Sequence, residues 1–189
     1  MRMQWIAIAV LVAVALYVIV VFNRLVRLRN QVREGWSGID VQLRRRTDLI
    51  PNLVDTVKAY AAHERGLFEQ ITKLRASSIA ADNVSAQATA ERALKGALSR
   101  LLVLAENYPE LKANENFLKL QEQLAEIEDQ LQMARRYYNG SARDLNVAIQ
   151  SFPSVLIARP FGFVEAAFFE LDDHDAAQTP KISLSPGGS

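Results

Sequence analysis

From Trp5 to Phe22, eighteen consecutive residues are apolar or aromatic and none is charged. A helix that is hydrophobic all round must be hidden in a membrane or a core, so this run constrains the fold before any other feature. At 1.5 Å per residue it makes about 27 Å of helix, close to the roughly 30 Å hydrocarbon layer of a bilayer. A cleaved secretory signal is the competing reading, because Arg2 supplies a positive start and Ala13-Val14-Ala15 has the small-x-small form of a cleavage site. The run continues from Leu16 to Phe22 with no polar stretch before that site, so cleavage would leave an apolar new terminus. Residues 1–22 are therefore expected to be a retained transmembrane anchor.

Charge then suggests an orientation. The chain carries 22 Lys plus Arg against 21 Asp plus Glu, a net +1 that hides a division. Residues 1–46 hold eight basic and two acidic groups, net +6, and the remainder holds fourteen and nineteen, net −5. Arg24, Arg27, Arg29 and Arg33 follow the apolar run, whereas only Arg2 and the amino terminus precede it. The positive-inside rule puts the body in the cytoplasm and the N-terminus outside. These four arginines, with Arg44, Arg45 and Arg46 further along, are candidate contacts for anionic lipid or a partner. Ion pairs with the acidic stretch Glu115 to Asp129 are the plainer fate of the second group. A nucleic-acid binder would show a basic excess with interleaved aromatics, and neither is present.

The rest of the chain has helical texture. Leu25, Leu28, Val32, Trp36, Ile39, Leu43 and Ile50 step by three, four, four, three, four and seven, one face of a helix leaving the membrane. Gly35 and Gly38 weaken it by about 1 kcal/mol each relative to Ala, or admit a neighbouring helix. Pro51 lacks the amide hydrogen and is expected to kink or restart the helix. Further apolar stripes run through Leu53, Val57, Ile71 and Leu74, and through Leu94, Leu98, Leu101 and Ala105. The clearest stripe is Phe117, Leu120, Leu124, Ile127, Leu131, Ala134, Tyr138 and Ser141, continuing to Leu145 and Ala148. It runs straight through Asn139-Gly140, which reads as a local kink or a close helix contact.

The expectation is an all-α chain. Its N-terminal transmembrane helix continues into an antiparallel up-and-down four-helix bundle spanning 23–170, with helices over about 23–50, 51–77, 85–107 and 112–150. Five Phe with Pro153, Pro160 and Gly162 follow, too aromatic for disorder, so 151–170 is expected to pack on the bundle as a lid. An alternative is an aromatic wedge dipping into lipid or a partner. Residues 171–189, ending Ser-Pro-Gly-Gly-Ser, should form a flexible tail.

Reactive chemistry is sparse. With no Cys there is no disulfide, thiol nucleophile or Cys-containing zinc site. His63-Glu64 begins like a zinc-protease helix, but the second ligand position holds Leu67, and the other histidine, His174, falls in the expected tail. No glycine-rich phosphate loop or nucleophile elbow occurs. No catalytic, cofactor-binding or metal-ligating residue is assigned, and no small-molecule substrate is evident.

A set of local motifs resembles the LemA family. They are Phe22-Asn23-Arg24-Leu25-Val26-Arg27-Leu28-Arg29-Asn30, Trp36-Ser37-Gly38-Ile39-Asp40-Val41-Gln42-Leu43, and Arg45-Arg46 with Asp48-Leu49-Ile50-Pro51-Asn52-Leu53-Val54. Later come Tyr60-Ala61 with His63-Glu64, Ala105-Glu106-Asn107-Tyr108-Pro109, Asn114-Glu115-Asn116-Phe117, Ala134-Arg135-Arg136 with Tyr138-Asn139, Phe152-Pro153-Ser154 and Phe161-Gly162-Phe163. The likeness covers about residues 22–170. It departs where the family usually has Thr-Glu-Asn-Arg and a later Tyr-Asn, here Ile127-Glu128-Asp129-Gln130 and Leu145-Asn146. The resemblance implies a bacterial inner-membrane protein with one N-terminal span and a helical-bundle body, and it brings no catalytic residues. Trp36, Asp40, Asp48, Asn52, Phe161 and Phe163 are its candidate interaction surface. The function expected is a non-catalytic, membrane-anchored scaffold or adaptor working through protein partners or self-association. Membrane remodelling or organisation of anionic lipid is the alternative.

Overall fold

A computed structural model describes residues 2–170, so the expected flexible tail lies outside the described residues. Among them all regular structure is helical: α1 (Arg2–Lys58), α2 (Arg65–Ala80), α3 (Val84–Ala105), α4 (Pro109–Lys112), α5 (Glu115–Gln150) and α6 (Val155–Ala158). The 57 residues of α1 make a single rod about 86 Å long at 1.5 Å per residue. It carries the apolar run and the stem without a break. The 36-residue α5 lies along α1, and α2 lies against α3. Leu145 shares a core with Leu25, whereas Phe117 shares one with Val57, so α1 and α5 are antiparallel.

The starts of α3 and α5 follow from their caps. Asn83 and Asn114 turn their side-chain oxygens onto the amides of Ala86 and Phe117, satisfying donors that the first helical turn leaves open. Pro109 occupies the first turn of α4, where its missing amide costs nothing.

The expected restart at Pro51 does not occur, since α1 passes through it and ends at Lys58. Proline cannot donate to the carbonyl four residues back, that of Thr47. The Arg75 guanidinium, reaching from α2, donates to that same Thr47 oxygen at 2.6 Å. A tertiary contact thus replaces the missing helical hydrogen bond. The chain turns after Lys58, around the fully buried Ala61, before α2 begins.

Three apolar clusters follow one another along α1. Nearest the N-terminal run, Val21 and Leu25 meet Leu145, Ala148 and Ile149 of α5, Ile157 and Ala158 of α6, and Phe163. In the middle, Ile39 and Leu43 meet Ala88, Leu131, Tyr138 and Phe169, with Trp36 packed alongside. At the far end Leu53 and Val57 join Phe68 and Ile71 of α2, Leu94 to Leu101 of α3, Leu111, and Phe117 and Leu124 of α5. The stripe on α5 therefore serves all three, which explains why its periodicity is so regular.

Close approach of α1 and α5 occurs at Gly35. A Cβ built there would lie 2.9 Å from the Tyr138 Cα and 3.2 Å from the Tyr137 Cδ1. Nothing lies within 4 Å of a Cβ built on Gly140, and α5 runs unbroken through it. The close contact anticipated around Asn139-Gly140 thus belongs to Tyr138, with Gly35 as the small residue. Gly35→Val should force the helices apart and cost about 1–3 kcal/mol. A thermal melt of this variant beside Gly140→Ala would check it, the second change being expected to leave stability level or higher.

Candidate functional site

The apolar part of α1 has almost no protein around it. Trp5, Ile6, Leu11, Val14 and Ile19 are all more than half exposed, and by length and composition this is the one helix among the described residues able to cross a membrane. Protein cover begins at the end of the run. Val18, Val21 and Phe22 pack on the first cluster, and the Phe22 ring meets Phe161 and Phe163 edge-on at 5.1 and 5.7 Å between centroids.

The basic residues that follow divide by environment. Arg24, Arg27 and Arg33 are exposed, whereas Arg29 is half-buried with its guanidinium 5.1 Å from the Phe163 ring centroid, a cation–π contact. Arg44 pairs with Asp40 one turn back at 3.0 Å, both exposed, and Arg45 is exposed. Arg46 differs from its neighbours. Its guanidinium is buried between Glu91 of α3 at 3.0 Å and Glu128 of α5 at 2.8 Å. Glu91 also receives hydrogen bonds from the Ser78 hydroxyl and from the Gln87 amide at 3.1 Å. As a candidate lipid contact Arg46 is therefore corrected: its charge ties α1, α3 and α5 together, and the head group is not available to a phosphate.

The six residues singled out as an interaction surface occupy separate places. Trp36 is half-buried, with Tyr138 and Phe169 edge-on at 5.5 and 5.7 Å. Asp48 and Asn52 line a groove of about 380 Å³ between α1 and α5, with Gln42, Arg45, Gln123 and Glu126. Asp40 sits with Arg44 on a different groove, Phe163 is in the first cluster, and Phe161 is exposed beside Phe22. Asp48, Asn52, Asp40 and Phe161 are thus open to solvent, whereas Phe163 is buried and Trp36 half-buried.

Asn139 and Asn146, met in the sequence only as parts of motifs, hold the chain after α6. The Asn146 amide donates to the Ala166 carbonyl at 2.9 Å and accepts from the Ala166 amide at 2.8 Å. Asn139 does the same with Phe169, at 3.1 and 2.9 Å. Between them the Tyr138 hydroxyl donates to the Ala167 carbonyl at 2.7 Å. Burial pushes this phenol above the usual tyrosine range, so it remains a protonated donor at neutral pH.

Among the described residues no group of three or more His, Asp or Glu could hold a metal ion. His63 is exposed in the turn between α1 and α2. What the molecule offers is an apolar rod, a basic collar and helical surfaces.

A family model described as the LemA family matches residues 35–184. Magnetosome protein MamQ of Magnetospirillum gryphiswaldense is 26% identical over 188 residues, covering 86% of this chain and 68% of the relative. Magnetosome protein MamQ 2 of Paramagnetospirillum magneticum is 25% identical with the same coverage. Protein LemA of Metamycoplasma hominis is 26% identical over 155 residues, covering 80% of this chain and 69% of the relative.

Proposed function

The chain belongs to the LemA family, and on that premise we propose that it is a membrane-anchored helical scaffold or adaptor that works through protein partners or self-association. The observation that carries this reading is the join between rod and body. One uninterrupted helix holds an apolar segment long enough to span a bilayer and the buried stripe on which the body is built. Such a joint fixes the body at the membrane face with little freedom to tilt, which suits a platform. Neither the family nor the relatives carry the name of a reaction, and no reactive constellation in the described residues suggests one.

The proposal includes the arrangement and the address. The part of α1 beyond the apolar run, with α2, α3 and α5, reads as an antiparallel up-and-down four-helix bundle, supported by the single core to which all four contribute. The segment after α6 reads as its lid, supported by the pinning amides of Asn139 and Asn146. The arginine excess after the span favours a cytoplasmic body on a bacterial inner membrane, with the N-terminus outside. The open groove with Asp48 and Asn52 is the surface we assign to a protein partner.

In mild detergent the full chain should run as an oligomer, or with stoichiometric co-purifying protein, rather than as one 21.1 kDa chain in its micelle. Light scattering coupled to size separation measures this. A lone monomer in several detergents, with nothing attached, would overturn the scaffold reading.

A further inference from the structure

We propose that the corner formed by the end of α5, α6 and the turn after it is immersed in the lipid that α1 crosses, as a second membrane-contacting element. The inference rests on the reading of α1 as a membrane span. Its first support is length. The part of the apolar run without protein cover, Trp5 to Tyr17, makes about 20 Å of helix, whereas the hydrocarbon layer is about 30 Å thick. The rest of the run, Val18 to Phe22, adds about 7.5 Å at the same rise and brings it close to that thickness. Within it Val18, Val21 and Phe22 pack against the cluster of Ala148, Ile149, Ile157, Ala158 and Phe163. If α1 is buried across a full hydrocarbon layer, the corner enters it too.

The second support is the chemistry the corner exposes. Phe152 is 80% exposed, Leu156 65% and Phe161 57%, on a segment whose inward residues already have a core. Phe152 shares a groove with Tyr17 and Val21, and Phe161 stacks edge-on against Phe22, so the exposed rings flank the base of the span. Arg24 and Arg143 line that same groove, and Arg159 is exposed after α6. Long basic side chains at this level reach headgroup phosphates while their stems stay among apolar atoms.

The third support is the backbone. Loops in water leave amides to the solvent, but in lipid each unpaired amide costs several kcal/mol, on the order of that for any buried polar group. From Val155 to Phe163 every amide donates within the chain, Pro160 having none to donate. Gly162 makes this closure possible by taking a φ of 70°, after which the Phe163 amide reaches back to the Ala158 carbonyl. The Ser151 and Ser154 hydroxyls are turned back onto the Val147 and Ala148 carbonyls. A short irregular segment whose amides from Val155 to Phe163 are all satisfied, and whose exposed rings stand beside the span, suits lipid. A protein partner would normally be met with some open hydrogen-bonding groups.

The natural chain has no Cys, so single nitroxide labels can be placed at will. Full-length Phe152→Cys, Leu156→Cys and Phe161→Cys, each spin-labelled, would be reconstituted in vesicles of phosphatidylcholine with phosphatidylglycerol. Val14→Cys serves as the lipid reference and Val103→Cys, exposed on α3 near the far cluster, as the water reference. Collision with oxygen, which concentrates in lipid, and with a water-soluble nickel chelate is then compared. The three corner labels should give an oxygen-to-nickel ratio several-fold above Val103 and approaching Val14. Ratios equal to Val103, with Val14 high, would overturn the immersed corner and leave the anchor standing. Shielding of the corner from both reagents would mean that protein covers it, which also overturns the proposal. A low ratio at Val14 would remove the anchor itself and the inference with it.

Discussion

Arg46→Ala should lower the stability of the body by about 3–5 kcal/mol, the cost of removing one partner from a buried ion pair. The size follows from what remains. Glu91 is fully buried, and its Ser78 and Gln87 hydrogen bonds do not neutralise a carboxylate. Glu128 keeps a quarter of its side chain in solvent, so Glu128→Ala should cost only about 1 kcal/mol. Arg46→Met combined with Glu91→Leu should recover most of the loss, since apolar replacements of whole buried pairs are often neutral or better. Denaturant melts of the detergent-solubilised chain, followed by helicity, would measure all three. Equal losses for Arg46→Ala and Glu128→Ala would sink the account. The result also governs how lipid binding can be tested. Neutralising Arg44, Arg45 and Arg46 together would confuse unfolding with lost attraction, whereas Arg44→Gln with Arg45→Gln leaves the buried pair intact.

Much of the helical architecture is legible in the sequence because an amphipathic stripe records which face is buried. Even the buried ion pair left a mark. The stripe on α1 steps by seven between Leu43 and Ile50, and the missing inward place is filled by Arg46 and Thr47. On α3, Glu91 lies three residues before Leu94 on the same face as Leu98 and Leu101, all buried. Opposite charges at inward positions of two stripes are a readable sign of pairing. A run of three arginines obscured it, because its members look alike until one is assigned to a face. Pro51 misled for another reason. Its effect on a helix depends on whether the orphaned carbonyl finds a donor, and that donor, Arg75, lies twenty-eight residues along the chain. The interaction surface inferred from family resemblance was scattered because Trp36 and Phe163 pack in the core while Asp48 and Asn52 face solvent. Shared residues report structural and functional constraints alike, and one sequence does not separate them.

Replacing Asn139 and Asn146 together by Ala should release the chain after α6 while leaving the long helices in place. The pairing depends on a match of two repeats. Seven helical residues advance about 10.5 Å, and three extended residues about 10 Å, so side chains one heptad apart on α5 meet backbone three residues apart. Asn139 and Asn146 thereby act on Phe169 and Ala166 as a neighbouring strand would, each giving one donor and one acceptor. Four hydrogen bonds are lost in the double variant, roughly 2–6 kcal/mol at the usual net value for each. That loss falls on a segment held otherwise by Tyr138, Phe163 and Phe169, so it should appear as local opening rather than global unfolding. Hydrogen exchange is the appropriate measurement. The amides of Ala166 and Phe169 should lose protection by tenfold or more, on the scale of about 1.4 kcal/mol per decade, while those of Leu131 and Leu145 hold theirs. Asn→Asp at both positions should open the segment at least as far, because a carboxylate still accepts from the amide but faces the carbonyl with no proton to donate. Unchanged exchange at Ala166 and Phe169 in either double variant would show that the aromatic side chains alone hold the segment. The heptad spacing of the two asparagines would then have no structural role.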